Sequence, residues 1–277
     1  MNFTKMQGLG NDFILMEVAS FEEAQRFQAY ARQLCDRHWG IGADGLILLG
    51  PDQEEDIFMR IYNSDGSEAQ MCGNGIRCVA LYARQNGLVD KDSFRVRTQA
   101  GVRCPQILSC DGQKLVRVDM GEPELETSRI PVRGSASNTG IPLSAAGQEF
   151  VITAVSMGNP HCIIYRDDLS LVPLADWGPQ IETHASFPEK TNVEFVQVLN
   201  DEELEAVVWE RGAGITLACG TGACAVLVAS VLSGKSKPKA TVRLPGGELY
   251  IEWNQEDNHV YMSGAAIEVF HGTIELK

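Results

Sequence analysis

Short apolar runs broken by glycine open the chain: Phe3 to Met16 reads as strand, glycine turn and strand, with Asn11 at the turn. The period then changes. Ser20-Phe-Glu-Glu23 has the capping-box spacing, and Phe27, Tyr30, Ala31 and Leu34 form one apolar face, which predicts a helix to about Asp36. Leu46 to Leu49 and Ile57 to Tyr62 are strands, the second leading into the turn Asn63-Ser-Asp-Gly66. Ile76 to Gln85 reads as a helix stopped by Gly87. Arg95 to Gly101 and Lys114 to Met120 alternate as strands, and Gly121-Glu-Pro123 closes this half. Further on, Phe195 to Val198 and Ala206 to Trp209 are strands. Ala223 to Leu232 is apolar around its whole circumference, so a helix there has to be buried on every side. Arg129 to Gln148 is a polar excursion to which the pattern assigns no role.

The second half repeats the first. Cys72-Gly-Asn-Gly75 returns as Cys219-Gly-Thr-Gly222, each followed by an apolar helical run. Aligning the two cysteines lays Glu55 to Asn63 over Glu202 to Glu210, so that Asn63 and Glu210 each stand nine residues before their cysteine. Upstream, Gly10-Asn-Asp-Phe13 answers Gly158-Asn-Pro-His161, and downstream Thr241 to Gly247 answers Arg95 to Gly101. Gene duplication is the economical explanation. The expected fold is α+β, with two pseudo-repeat domains, each a mostly antiparallel sheet or barrel wrapped around a central helix, and the active site in the cleft between them. The domains are read as residues 1–118 with 265–277, carrying Cys72, and 119–264, carrying Cys219. Cys78 and Cys224 fall inside the central helices, where a thiol acts as a small core residue.

A length of 277 residues suits two domains. The net charge of −14 argues against a nucleic-acid backbone or an anionic membrane as partner, while leaving a small zwitterionic or cationic substrate compatible. Met1 to Phe13 has no apolar signal core, and no apolar run approaches the length of a membrane span, so a cytoplasmic location and reduced thiols are expected of the eight cysteines. No metal pattern is present: Cys104 and Cys110 are remote from histidines, and the five histidines are scattered. Gly40-Ile-Gly-Ala-Asp-Gly45 matches the dinucleotide fingerprint, but it follows a helix and precedes a strand, the reverse of what that fingerprint requires.

The chemistry therefore rests on the paired Cys-Gly-x-Gly stretches. A sulfur at a helix N-terminus meets unpaired N–H groups and the positive end of the dipole, which are expected to lower its pKa and make it a usable base. Inverting a carbon stereocentre needs a base on one face and an acid on the other, and two equivalent thiols from two repeats meet that need, one as thiolate and one as thiol. The two helix N-termini can direct backbone N–H groups at a substrate carboxylate and stabilise the charge that develops at an amino acid Cα. No pyridoxal site or other cofactor is implied.

Gly8-Leu-Gly-Asn-Asp-Phe13, Met71-Cys-Gly-Asn-Gly-Ile-Arg-Cys78, Met157-Gly-Asn-Pro-His161, Trp209-Glu-Arg-Gly-Ala-Gly214 and Ala218-Cys-Gly-Thr-Gly-Ala-Cys224 together closely resemble the diaminopimelate epimerase family. The resemblance runs from Asn2 to the C-terminus. It implies a pyridoxal-independent homodimer that interconverts LL- and meso-2,6-diaminopimelate for lysine and cell-wall precursor synthesis. Carried over by motif, it makes Cys72 and Cys219 the acid/base pair, tuned by His161 and Glu210. Asn11, Asn63, Asn159, Asn192, Glu210 and Arg211 would contact substrate, and Gly73-Asn74 and Gly220-Thr221 would give backbone amides to its carboxylate. Gly45 departs from members that carry a substrate-touching glutamine there, and Phe270 occupies the place of an aromatic linked to dimer formation. Proline racemase or hydroxyproline epimerase is the nearest rival in the same fold, but carries His where Asn74 stands. Phenazine-biosynthesis-like isomerases lack the two thiols, and a non-catalytic amino-acid-binding module has no need of them.

Overall fold

A computed structural model describes every residue except Asp111 and Lys277, with nothing described of the Cys110 side chain; Cys110, set aside above as a metal ligand, therefore lies outside the described side chains. Contacts divide the chain into one unit of Met1–Asp119 with Ser263–Lys277 and a second of Met120–Met262.

In the first unit, β1 (Asn2–Gly8) and β2 (Asn11–Glu17) form a hairpin whose turn residues, Leu9 and Gly10, take φ of 58° and 80°. Asn11, expected at the turn, instead opens β2. The expected long helix is two: α1 (Phe21–Arg26), capped by the Ser20 side chain on the Glu23 N–H, and α2 (Gln28–Cys35). They cross over to β3 (Gly45–Pro51), which lies parallel to β2, followed by β4 (Ile57–Asn63), antiparallel, and the short β5 (Glu68–Ala69). The helix α3 (Gly73–Gln85) leads to β6 (Val96–Thr98), parallel to β4, and β7 (Gly101–Arg103). Arg95 to Gly101 is thus not one strand: Gln99 and Ala100 turn it back on itself. The hairpin of β8 (Gln106–Cys110) and β9 (Gln113–Asp119) follows.

The second unit repeats this plan. The strands β10 (Ile141–Ala145), β11 (Gln148–Ser156) and β12 (Pro160–Tyr165) are antiparallel, and α4 (Leu174–Glu182) crosses over to β13 (Asn192–Asn200), parallel to β12. Then come β14 (Glu203–Glu210), the short β15 (Gly214–Thr216), α5 (Gly220–Leu232), β16 (Lys239–Leu244), parallel to β14, β17 (Gly247–Trp253) and β18 (Val260–Ala265). Along β18 the chain re-enters the first unit, where β19 (Ile267–Thr273) pairs antiparallel with β1 and ends the sheet β19-β1-β2-β3-β4-β6-β7. The parallel pairs, β2 with β3 and β4 with β6 in the first unit and β12 with β13 and β14 with β16 in the second, fall at matching places.

Both faces of each sheet are covered, which is why β2, β3 and β13 carry continuous buried runs instead of alternation. On one face lies the central helix. Gly222 to Ser230 of α5 are all buried, as the circumferential apolar pattern requires, and α5 touches β11, β12, β13, β14, β16 and β17. Each Val or Leu so enclosed contributes about 1.5–3 kcal/mol. In the first unit α1 and α2 close the other face through Ala24, Phe27, Ala31 and Leu34. In the second, α4 and residues of the supposed polar excursion do so: Ile130, Val132, Ile141, Leu143 and Ala145 are buried with Phe150, Ile181 and Phe195. That excursion is core and an edge strand. Cys78 and Cys224 are fully buried in their helices, and burial pushes the Cys78 thiol up to about 12.

Candidate active site

Each cysteine of the repeat is the N-cap of its central helix. Cys72 Sγ accepts the Gly75 N–H at 3.5 Å, and Cys219 Sγ accepts that of Gly222 at 3.4 Å. The Ile76 and Ala223 N–H groups go to the carbonyls of Cys72 and Cys219. That leaves the N–H groups of Gly73 and Asn74, and of Gly220 and Thr221, without a partner among the described residues, a pair of donors at each helix start aimed outward beside the sulfur. Space behind each cap is limited: a Cβ on Gly75 would lie 3.1 Å from Ile47 Cδ1, and one on Gly222 would lie 3.1 Å from that of Cys219 and 2.7 Å from Glu194 Oε1.

In the first unit Asn11 faces Gly8 across the hairpin, and a Cβ on Gly8 would lie 3.6 Å from that of Asn74, so the hairpin end abuts the start of α3. The register runs Phe13, Gly45, Asn63 across β2, β3 and β4, which puts Asn11 and Asn63 at one end of the sheet. Asn63 Nδ2 donates to Ser67 Oγ, and Asn11 Nδ2 to Asp44 Oδ2 at 3.3 Å, while Asn11 Oδ1 is buried without a partner. Asp44 belongs to a cluster with Asp12, Lys5 and Arg37. Burial raises Asp44; burial also acts to raise Asp12, but hydrogen bonds from Arg37 and Lys5 override it and hold Asp12 well below the usual carboxylate range. The Asn74 Oδ1 is engaged within the fold: it accepts from Arg77 at 2.8 Å, and Arg77 also donates to the carbonyls of Gly73 and Ala265.

The second unit has the corresponding row His161, Asn192 and, at the end of β14, Glu210. Asn192 is committed at both ends: Nδ2 donates to the Pro160 carbonyl and Oδ1 accepts the Arg211 N–H, both at 2.9 Å. It therefore fixes the backbone that presents Arg211, whose exposed guanidinium donates to the Glu189 carbonyl. The helix α4 braces the same turn, since Glu182 accepts the Trp209 indole N–H at 2.7 Å and the Gly212 N–H at 3.2 Å. Asn159 Oδ1 lies 3.1 Å from His161 Nε2, and Thr221 Oγ1 lies 3.5 Å from Cys219 Sγ. The Glu210 carboxylate takes hydrogen bonds from Thr216 and Cys219, but burial outweighs them and raises it.

One expectation is reversed here. The helix start does not lower the Cys219 thiol: burial, then the charges of Glu210 and Glu194, push it well above the ordinary value, and the hydrogen bonds from Thr221 and Gly222 do not compensate. Cys219 carries its proton at neutral pH. The reading of the sequence also missed Glu194. This residue of β13 is buried, its Oε1 lies 2.7 Å from His161 Nδ1, and its Oε2 has no partner. The signal was there to be read, a single charge inside the otherwise apolar Val193-Glu-Phe-Val196.

The profile of the diaminopimelate epimerase family matches residues 3–126 and 153–269. The diaminopimelate epimerase of Pelotomaculum thermopropionicum is 56% identical over 277 residues, covering 98% of each chain. Among solved structures, the PhzF-family phenazine biosynthesis protein of Bacillus anthracis superimposes with a TM-score of 0.72 at 16% identity, covering 100% of this chain and 99% of its own. A hydroxyproline epimerase of Agrobacterium vitis gives a TM-score of 0.68 at 14% identity, covering 98% and 91%. At such identities these two share the fold and no more.

Proposed function

Because the chain belongs to the diaminopimelate epimerase family, we propose that it interconverts LL- and meso-2,6-diaminopimelate with Cys72 and Cys219 as its two acid/base groups and no cofactor. The observation that carries this is the recurrence of one device: a cysteine N-cap, two unengaged backbone N–H groups beside it, and a buried helix behind. The N–H groups of Gly73, Asn74, Gly220 and Thr221 take the carboxylate of the reacting centre and stabilise the enediolate that forms when Cα loses its proton. One cysteine acts as base and the other as acid, and the roles exchange with the direction of the reaction. Glu210 and His161 set the proton affinity of the thiols. Asn11, Asn63, Asn159 and Arg211 bind the rest of the substrate. The guanidinium of Arg211 suits a two-point grip on the distal carboxylate, and Asn192 holds the backbone of that residue in place.

Incubation with LL-diaminopimelate in heavy water is expected to give the meso isomer with deuterium at one Cα, and proline and hydroxyproline are expected to remain unexchanged. Cys72→Ala and Cys219→Ala should each keep the fold and lose activity by about 10²-fold or more. Near-normal turnover by either variant would sink the two-base reading.

No helix among the described residues is long and apolar enough to cross a membrane. With the net charge of −14, this supports a cytoplasmic enzyme of small-molecule metabolism that binds neither nucleic acid nor membrane. A homodimer is supported by β19, an end strand that leaves Ile267, Val269 and Phe270 about half exposed.

A further inference from the structure

The first unit carries a cluster of charges that the repeat does not require. Asp12 takes two hydrogen bonds from the Arg37 guanidinium, at 3.0 and 2.8 Å, and pairs with the buried Lys5 at 2.7 Å; Lys5 in turn donates to the Gly42 carbonyl. Asp44 joins the cluster through both of its oxygens. Oδ1 accepts from Arg37 at 2.8 Å, while Oδ2 accepts the Asp12 N–H at 3.1 Å and Asn11 Nδ2 at 3.3 Å. The second unit has neither carboxylate at the answering places. Gly158-Asn-Pro-His161 aligns with Gly10-Asn-Asp-Phe13, so Pro160 replaces Asp12. Gly45 pairs with Phe13 as Asn192 pairs with His161, so Thr191 replaces Asp44. The hairpin of β11 and β12 and the parallel strand β13 form there all the same, which leaves folding a poor reason for the two carboxylates of the first unit.

What the cluster acts on is Asn11. Its Nδ2 donates to Asp44 Oδ2, so its Oδ1 is turned the other way. That Oδ1 is the one buried side-chain acceptor of the first unit with no partner among the described residues. Leaving a buried acceptor unpaired costs stability, and an atom so placed marks where a donor arrives from outside the fold. We propose that Asp44 is a positioning residue which, by holding Nδ2, presents the Asn11 Oδ1 as an acceptor to a ligand N–H. This rests on the reading of Asn11 as a substrate contact and narrows it: the carboxylates of a zwitterionic amino acid only accept, so the group that Asn11 takes is an ammonium. An asparagine in place of Asp44 has no good orientation. Its NH2 would face either the Arg37 guanidinium or the Asp12 N–H and Asn11 Nδ2, and the second choice would turn the Asn11 amide over.

The test is a double-mutant cycle on kcat/KM for LL-diaminopimelate in the full chain, joined to NMR of the Asn11 side-chain amide, assigned by its absence from Asn11→Ala. Asp44→Asn and Asn11→Ala should each lower kcat/KM by roughly 10–100-fold, the size of one hydrogen bond to a charged group. The double variant should be no slower than Asn11→Ala alone, because Asp44 acts through Asn11. The Asp44 side chain is 42% exposed, and its backbone stays tied, N–H to the Asp12 carbonyl and carbonyl to the Ser64 N–H, so the exchange opens no cavity. In the free wild-type enzyme the Nδ2 protons should exchange with water more slowly than those of an exposed amide, and Asp44→Asn should remove that protection. Losses that add in the double variant, or wild-type kinetics in Asp44→Asn beside an impaired Asn11→Ala, overturn the proposal. Wild-type kinetics in Asn11→Ala would remove the substrate-contact reading and the proposal with it. Should Asp44→Asn not fold, the wild-type spectrum still decides, since an Asn11 amide that exchanges freely overturns the proposal. The spectrum needs no turnover, so failure of the two-thiol chemistry, seen in Cys72→Ala and Cys219→Ala, is distinguishable.

Discussion

At the scale of single residues, burying Glu210 carries a stability cost. Glu210 is raised by burial above its ordinary value of 4.5, so its contribution to stability is complete below that value and is lost as pH rises through the higher folded value. At pH 8 the enclosed charge opposes folding. Glu210→Gln should therefore raise the melting temperature at pH 8 by about 2–4 °C, the shift that about 1 kcal/mol produces in a chain of this size, with a smaller effect at pH 4 and a loss of epimerisation. Equal effects at the two pH values, followed by calorimetry, would show that Glu210 is not buried as a charge. The same neighbours make a second prediction. Because Cys219 is held protonated by burial and by Glu210 and Glu194, its alkylation by iodoacetamide should be slow at pH 7, and Glu210→Gln should speed it. Mass mapping of the modified peptide checks this, and unaltered Cys219 labelling in the variant would contradict it. The two cysteines were legible in the sequence from the spacing of the repeat, whereas His161 and Glu210 were singled out by the family resemblance. The direction of the Cys219 shift was not legible, because a helix start and burial act against each other, and only packing shows which is larger. Nor was the commitment of Asn192 and of the Asn74 side chain to partners within the fold, since spacing does not record what an amide already bonds.

At the scale of elements, legibility followed how far local pattern agreed with tertiary context. The helix α5 declares itself because its apolar circumference permits no other placement, and α3 ends where Gly87 takes φ of 74°. By contrast α4 contains Gly178 and Pro179, both poor helix formers, and forms because its packing supplies what propensity withholds. The same holds for β10: Pro142 and a polar neighbourhood argue against a strand, and only an end strand such as this one, paired with β11 alone, tolerates a proline while burying Ile141, Leu143 and Ala145. Gly178 is the element's fixed point, for a Cβ there would lie 2.6 Å from the Trp209 ring. Gly178→Ala is therefore expected to cost about 1–3 kcal/mol in urea unfolding, as overpacking does. Because Trp209 precedes Glu210 and Arg211, kcat/KM should fall as well. Full activity with lowered stability would show that α4 supports the fold without bracing the Glu210-Arg211 turn.

At the scale of the whole molecule, the chain leaves the first unit after Asp119 and comes back at Ser263, so the last strand completes the sheet that the first one began. Phe270 packs edge-on to Phe3 with ring centroids 6.0 Å apart, and Gly272 passes so close to that ring that a Cβ would meet it at 3.0 Å. The seam is thus shaped for β1 on one side. On its other side β19 has no strand partner among the described residues and presents Ile267, Val269 and Phe270 at 51%, 55% and 47% exposure. A strand at a sheet's end with apolar side chains in water invites pairing, and a second copy of the same strand, antiparallel across a twofold axis, meets that demand with one self-complementary surface. If the dimer forms in this way, sedimentation should give about twice the 30.3 kDa of the single chain at micromolar concentration, and the melting temperature should rise with protein concentration. Val269→Lys places a charge on the exposed strand away from the Phe3 contact and should yield folded monomers, whereas Phe270→Asp should yield monomers of lower stability because it also removes the aromatic pair. A wild-type chain that sediments at 30.3 kDa, or a Val269→Lys variant that remains dimeric, would place the contact elsewhere than β19.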